Sequence, residues 1–440
     1  MSKLNKSFGL FALFIYGLGD ILGAGIYALV GKVSGHSGVY VWISFAVAMA
    51  IAALTAMAYA ELASRFPKSG GVSNFANEAF GNKTITFTVG WLLLFCSIVS
   101  MATLTRAFSG YVHQFNDGIP HILIAGLFLL ALTAINWRGI EHTSRANILA
   151  TTIEVAGLAL VIYAAIYFIT SGQSPAATAQ ASAAAADPAI DIGAIFQGAA
   201  LAFYAFIGFE DVANVAEETK DPKKHMPIAI LGALAVAGTI YILIGWLATQ
   251  VVSPETLAAS SGALTEVVRA SGSGVPVGIF KVIALFAIAN TCLLNFITSS
   301  RLLYGMSEEG VVPKLFGRVH EKFKTPTWAI VFVLPIALVL AVIGDLAFLA
   351  STTSVLILVV FCATNISLFA IKRRKEAWDG FSVPAAIPVL ALVANVVLIS
   401  FAKTASLLTA LGIAFVGLLL YWLFIKSSGR TKLDVAASRP

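Results

Sequence analysis

Charge is what this sequence has least of. Only 11% of its 440 residues are Asp, Glu, Lys or Arg, against about 25% in soluble domains, too few to build a water-facing surface. Cysteine is nearly as scarce. Cys96, Cys292 and Cys362 all fall in apolar stretches, too scattered for a metal cage or a disulfide framework, and read as small packing residues. No nucleotide-binding glycine loop appears, which argues against direct ATP drive. No HExxH or comparable set and no Ser, His and Asp grouping appears either, so neither a metal nor an enzymatic centre is expected. His36, His113, His121, His142, His225 and His320 lie mainly in loops or at helix ends and read as solvated residues.

Apolar sequence is what there is, at 59% of residues. About 20 such residues cross a hydrocarbon core of roughly 30 Å as a helix. Hydropathy predicts helices at 9–32, 39–60, 84–112, 119–137, 145–170, 192–217, 226–251, 275–304, 328–344, 346–372, 384–402 and 405–425. The expected fold is an all-α integral membrane protein of 12 transmembrane helices. The first helix is too long for a cleavable signal peptide and is followed by a whole bundle. With both termini on the cytoplasmic side of a cell membrane, all of the 28 Lys and Arg fall inside except Lys32, Arg106, Arg269, Lys281 and Lys403, as retention of positive loops requires. The net charge of +6 therefore reflects topology. Its basic residues are spread over separate loops, so the expected surroundings are the lipid bilayer and no nucleic acid.

Residues 171–191 are rich in Ala, Ser, Gln and Pro without Lys or Arg, and read as a low-complexity extracellular connector. It divides five helices in residues 1–170 from five more in 192–375; two further helices (376–425) and a cytoplasmic tail (426–440) follow. Because five is odd, the second set enters from the opposite side, as inverted repeats do. The first helix of each set is interrupted by glycine, in GDILGAGIY (Gly19–Tyr27) and in FYAFIGFED (Phe203–Asp211). Glycine weakens a helix interior and tolerates backbone that leaves the helix. Paired interruptions point to a binding site near the midplane, where freed amides suit a carboxylate and freed carbonyls an ammonium. The alternative is that these glycines only permit close helix packing.

These residues resemble the amino acid, polyamine and organocation transporters over nearly the whole chain. Besides GAGIY, the similarity rests on YAELASRFPKSGG (Tyr59–Gly71), on FIGFE followed by AEETKDP up to Pro222, and on SSRLLYGMSEEGVVP (Ser299–Pro313) with Thr325 and Pro326 beyond it. The resemblance implies the five-plus-five inverted repeat of the leucine-transporter fold with two added helices. It further implies an amino acid permease working by alternating access, by proton symport or by exchange, with no chemical cofactor. Carried over by position, the amides of Gly23, Ala24 and Gly25 hold a substrate carboxylate, and the carbonyls of Ile21, Tyr204 and Ile207 hold its amino group. Tyr204 stands where related exchangers place an aromatic gate, and Asn295 where a side chain can face the pocket. Packing between helices is the alternative for Tyr204, and a helix-bridging hydrogen bond that for Asn295.

Three carboxylates lie deep in predicted helices, where ionisable groups default to a functional role. Asp20 is some 11 residues into the first helix, or about 16 Å, and Glu154 is 9 residues past Arg145, or about 13 Å. Glu210 follows the second interruption, where a carboxylate also stabilises a half-helix through its dipole; in related exchangers the matching glutamate is linked to pH response and gating. Glu154 occupies a position that sodium-coupled relatives keep beside an ion site and that several sodium-independent ones fill with lysine. It is read as a carrier of the coupling proton, with a structural hydrogen bond or a cation site, sodium included, as alternatives. Asp20 makes the pocket acidic, which suits cationic substrates or protons, or else it hydrogen-bonds a neighbouring helix. The rival functions are a polyamine or organic-cation carrier and a membrane amino-acid sensor that binds without turnover. Substrate, coupling ion and oligomeric state stay open.

Overall fold

A computed structural model describes residues 9–68, 71–138, 143–171, 190–308, 310–320, 323 and 325–437, and the elements among them are helical. The first apolar run is two helices, α1 (Leu10–Leu22) and α2 (Ala24–Ser37), broken at Gly23. There follow α3 (Val41–Arg65), α4 (Gly71–Phe80), α5 (Lys83–His113), α6 (His121–Arg138) and α7 (Thr143–Thr170). Beyond the connector, whose residues 172–189 lie outside the described ones, α8 (Ile192–Ala202) gives way to short 3-10 segments at Phe203–Phe206 and Asp211–Glu218. The chain continues through α9 (Pro222–Val251), α10 (Pro254–Ala259), α11 (Ala263–Ala270), α12 (Val277–Glu308), α13 (Thr327–Ile343), α14 (Leu346–Arg373), α15 (Ala386–Ser400) and α16 (Thr404–Ala437).

Local chemistry sets several of these boundaries. Asn82 caps α5 by accepting from the amides of Thr84 and Ile85 at 2.9 and 3.3 Å, Asp191 caps α8 through Ala194 N, and Asp345 caps α14 through Phe348 N; each satisfies an amide that lacks an intrahelical partner. Residues 71–80, expected as part of a connection, form α4, which is too short and polar to span a bilayer and buries Val72, Phe75, Ala76 and Ala79 instead. Similarly, α3 runs five residues past its expected end at 60, because Glu61 finds partners inside the protein.

Burial runs opposite to that of a soluble protein. Leu411 and Phe415 on α16 and Ile343 on α13 are 66%, 68% and 75% exposed, whereas Glu61 and Glu154 are wholly buried. Apolar residues face outward because the surrounding medium is hydrocarbon, and polar ones turn inward because only the protein can satisfy them. Eight apolar stretches among the described residues are long enough to cross a membrane, the first being Leu10–Arg65, which holds α1 to α3. Three shorter apolar helices, His121–Trp137, Thr327–Ile343 and Ala386–Ser400, accompany them. The chain is a multi-pass membrane protein.

Two groups of helices frame the interior. In one, α3 and α1 both pack on α9, while α8 lies against α2 and α3. Small residues allow that closeness: Gly245 stands with room for a Cβ only 3.3 Å from Trp42 Cα, and Ala48, Ala52, Ala233 and Ala237 are fully buried. In the other group α5 packs on α12, α13 and α14. The broken segments after α1 and α8 lie between them. Cys96 and Cys292 are buried in this second group and Cys362 is half-buried.

At one end of α3 the two groups are tied by ion pairs. Glu61 accepts from Lys372 Nζ at 2.7 Å and from Val383 N at 2.8 Å. Arg65 pairs with Glu376 at 3.0 Å, and Lys223 at the start of α9 with Asp379 at 2.6 Å. All three converge on residues 372–383. Asp379 is fully exposed, and the Lys223 ammonium beside it holds its carboxyl below the usual range, a surface contact that salt screens. The Glu61–Lys372 pair differs, since Glu61 is 1% exposed; removing one partner strands a buried charge, at a cost of about 3–5 kcal/mol. Lys372→Met is therefore expected to lower the thermal midpoint of the purified protein clearly, and the double variant Glu61→Gln, Lys372→Met to recover most of it. Equal midpoints for the single variant and the unaltered chain would show that the pair contributes nothing.

Candidate functional site

The two glycine interruptions meet. A Cβ on Gly25 would stand 2.6 Å from Ala205 Cα, and one on Gly208 would stand 2.8 Å from the carbonyl carbon of Asp20. Ordinary contact begins near 3.4 Å, so at both positions backbone lies where any other residue would put a side chain. Gly208 also has φ +130°, a conformation that residues with a Cβ adopt only under strain. Each interruption is thus the other's packing surface, which joins the two readings of these glycines: they open the helices and they permit the approach.

Between the segments is a cavity of about 30 Å³ lined by Asp20, Ile21, Gly23, Ala24, Gly25 and, from the second segment, Tyr204, Ile207 and Gly208. By the measure in which about 10–15 Å³ admits one water, it has room for about two. The lining includes all the expected contact residues; Asn295 reaches it from α12. Four further lining residues went unnoticed in the sequence: Ser100, Ala205, Asp211 and Thr291. Asp211 was overshadowed by its neighbour Glu210, and Thr291 precedes Asn295 by one helical turn, a spacing that puts both on one face.

The polar groups of the cavity are held as follows. Ala24 N, in the first turn of α2, donates to Thr291 Oγ1 at 3.0 Å, and Thr291 itself donates to Ala287 O. The amides at this end of α2 have no intrahelical acceptors. On the carbonyl side, Ile21 O accepts from the Tyr241 hydroxyl and Tyr204 O from Ile207 N at 3.3 Å. The Tyr204 hydroxyl meets Ser100 Oγ at 3.0 Å, so the ring spans from the 3-10 segment after α8 to α5. Asn295 turns its amide back to Thr291 O and Asp211 accepts from Asn214 Nδ2 at 3.0 Å.

The other two carboxylates lie off the cavity. Glu210 Oε2 accepts from Gly208 N at 2.9 Å and pins the second interruption, with Asp211–Glu218 starting directly after it. Glu154, fully buried on α7, accepts at Oε1 from Asn290 Nδ2 at 3.1 Å, and its backbone carbonyl accepts from the Tyr27 hydroxyl of α2. Its Oε2 is buried with no hydrogen-bond partner among the described residues. Asn290 and Thr291 are adjacent on α12, so the residue that holds Glu154 is the neighbour of the one that holds the amide of Ala24.

Comparison with known proteins is consistent along the length of the chain. A family model described as amino acid permease matches residues 8–436. The branched-chain amino acid permease BcaP of Bacillus subtilis is 27% identical over 97% of this chain and 95% of its own. The methylthioribose transporter of the same organism is 28% identical over 96% and 94%. The chloroplastic cationic amino acid transporter 9 of Arabidopsis thaliana is 29% identical over 72% of this chain and 58% of its own. With polar groups gathered around two broken helices inside an apolar shell, and a family match spanning nearly all of its length, this chain belongs to the amino acid permeases of the amino acid, polyamine and organocation superfamily.

Proposed function

We propose that the protein is a secondary transporter that moves amino acids by alternating access to the cavity between Gly23 and Gly208. The observation that carries this is the mutual contact of the two interrupted segments, which puts the free amides of α2 and the carbonyls of residues 21, 204 and 207 around one space. A substrate carboxylate binds at Gly23, Ala24 and Gly25, where the helix dipole favours an anion, and takes the Ala24 amide from Thr291. The ammonium lies toward the carbonyls of Ile21, Tyr204 and Ile207, with Asn295 beside the side chain and Tyr204 as the gate. Since the cavity is smaller than any amino acid, the segments part to admit one. The chain crosses the cell membrane twelve times, as five-plus-five inverted repeats (1–170 and 192–375) and two added helices, with both termini cytoplasmic.

Coupling is by a proton on Glu154 or by exchange. A buried carboxylate whose partner is the neutral Asn290 side chain is costly as an anion, and as the neutral acid it has a proton to donate. Losing that proton disturbs Asn290 and, next to it, the Thr291 contact that holds α2. Two relatives named for branched-chain and for cationic amino acids leave the side-chain preference to experiment. Asp20 and Asp211, both lining the cavity, favour a cationic substrate, a second reading that includes polyamines.

Purified protein in liposomes, given labelled leucine, alanine, arginine and putrescine under imposed pH and sodium gradients, tests this directly. Amino acid accumulation is expected under an acid-outside gradient, and binding without flux would instead identify a sensor. Glu154→Gln is expected to abolish gradient-driven accumulation while counterflow exchange persists; undiminished accumulation would remove Glu154 from the coupling. Gly208→Ala, straining the backbone by about 1–3 kcal/mol, is expected to weaken substrate binding about tenfold or more in equilibrium dialysis. Unchanged affinity would move the site elsewhere.

A further inference from the structure

A cavity larger than the one between the broken helices lies elsewhere among the described residues. A pocket of about 210 Å³ opens at the end of α3 opposite Glu61, where α2 ends, α8 begins its course and the α15–α16 link passes; His36, Gln197, Ser351, Lys403 and Thr404 supply its polar lining. Every titratable lining side chain is one that carries or accepts positive charge, and no Asp or Glu is among them. Gln197 and His36 both line the pocket.

Two observations point to a ligand here. Ser351 is 6% exposed and lines the cavity, yet its hydroxyl has no hydrogen-bond partner among the described residues. Its neighbours Thr352 and Thr353 both donate to carbonyls of their own helix, a bond that Ser351 does not make. Secondly, α16 starts at Thr404. Its first amides have no intrahelical acceptor and carry the positive end of the helix dipole, beside the Lys403 ammonium. The start of α14 contributes nothing of this kind, because Asp345 already caps it.

We propose that this pocket is a second ligand site, one that takes a small carboxylate anion between Ser351, Lys403 and the amino-terminal turn of α16. His36 and Gln197 close the opposite wall. A carboxylate offers about four acceptor positions, which matches a hydroxyl, an ammonium and backbone amides converging from two sides. The occupant bridges α2 and α8, the two helices that run into the interruptions, to α14 and the α15–α16 link, and so stabilises the arrangement seen here. The carboxylate belongs either to a free monocarboxylate or to an amino acid zwitterion. This site stands apart from the transport reading and does not depend on it.

Fluorine NMR of trifluoroacetate added to the full-length protein in lipid nanodiscs tests the assignment. Saturable line broadening is expected for the unaltered protein. Lys403→Gln, at an exposed position, and Ser351→Ala are each expected to weaken it about tenfold, as loss of a bond to a charged group does. Lys83→Ala, which removes a distant exposed lysine, is expected to leave it unchanged. Displacement by propionate but not alanine supports the site with a free monocarboxylate as its ligand; displacement by both supports it with the zwitterion included. Broadening that does not saturate, or that survives both Lys403→Gln and Ser351→Ala, or that falls equally in Lys83→Ala, overturns the proposal.

Discussion

The contact on which the rest of this structure depends is backbone against backbone: Gly25 on Ala205 and Gly208 on Asp20. An unbroken helix satisfies its own amides and carbonyls and has none to offer. At Gly23 and after Ala202 the chain gives up intrahelical bonds inside an apolar surrounding, where an unsatisfied polar group is expensive. The structure meets that cost by placing the two breaks together and by lending side chains from neighbours: Thr291 to Ala24, Tyr241 to Ile21, Glu210 to Gly208. Each of these bonds is local in space and remote in sequence, except the last.

This explains why the side chains that hold Glu154 and Ala24 lie side by side on α12. The helix packs on α5 and on α7 as well as near α2, so consecutive residues face different neighbours. Asn290 faces Glu154 and Thr291 faces Ala24. A carboxylate on α7 and an amide at the start of α2 are in this way held by neighbouring residues of one helix.

The ends of the molecule contrast with its middle. Around Glu61 the two helix groups are joined by full charges, and elsewhere a pocket without acidic residues is lined by α2, α8 and α14. One end is closed by its own side chains, whereas the other presents a positive recess.

Much of the architecture was legible in the sequence, since twenty-residue apolar runs admit one structure in a bilayer and the paired glycine interruptions around Gly23 and Gly208 pointed to breaks. The expected contacts Ile21, Gly23, Ala24, Gly25, Tyr204, Ile207 and Asn295 do share one cavity wall. What sequence did not reveal is which side chains fill the spaces between helices: Thr291 on Ala24, Ser100 on Tyr204, Asp211 rather than Glu210 facing inward, and α4 folded against α5. The reason is physical. Hydrophobicity and glycine act along the chain, at distances that a window of residues captures, but a hydrogen bond such as that of Ala24 to Thr291 joins positions 267 residues apart and is decided only when the helices pack.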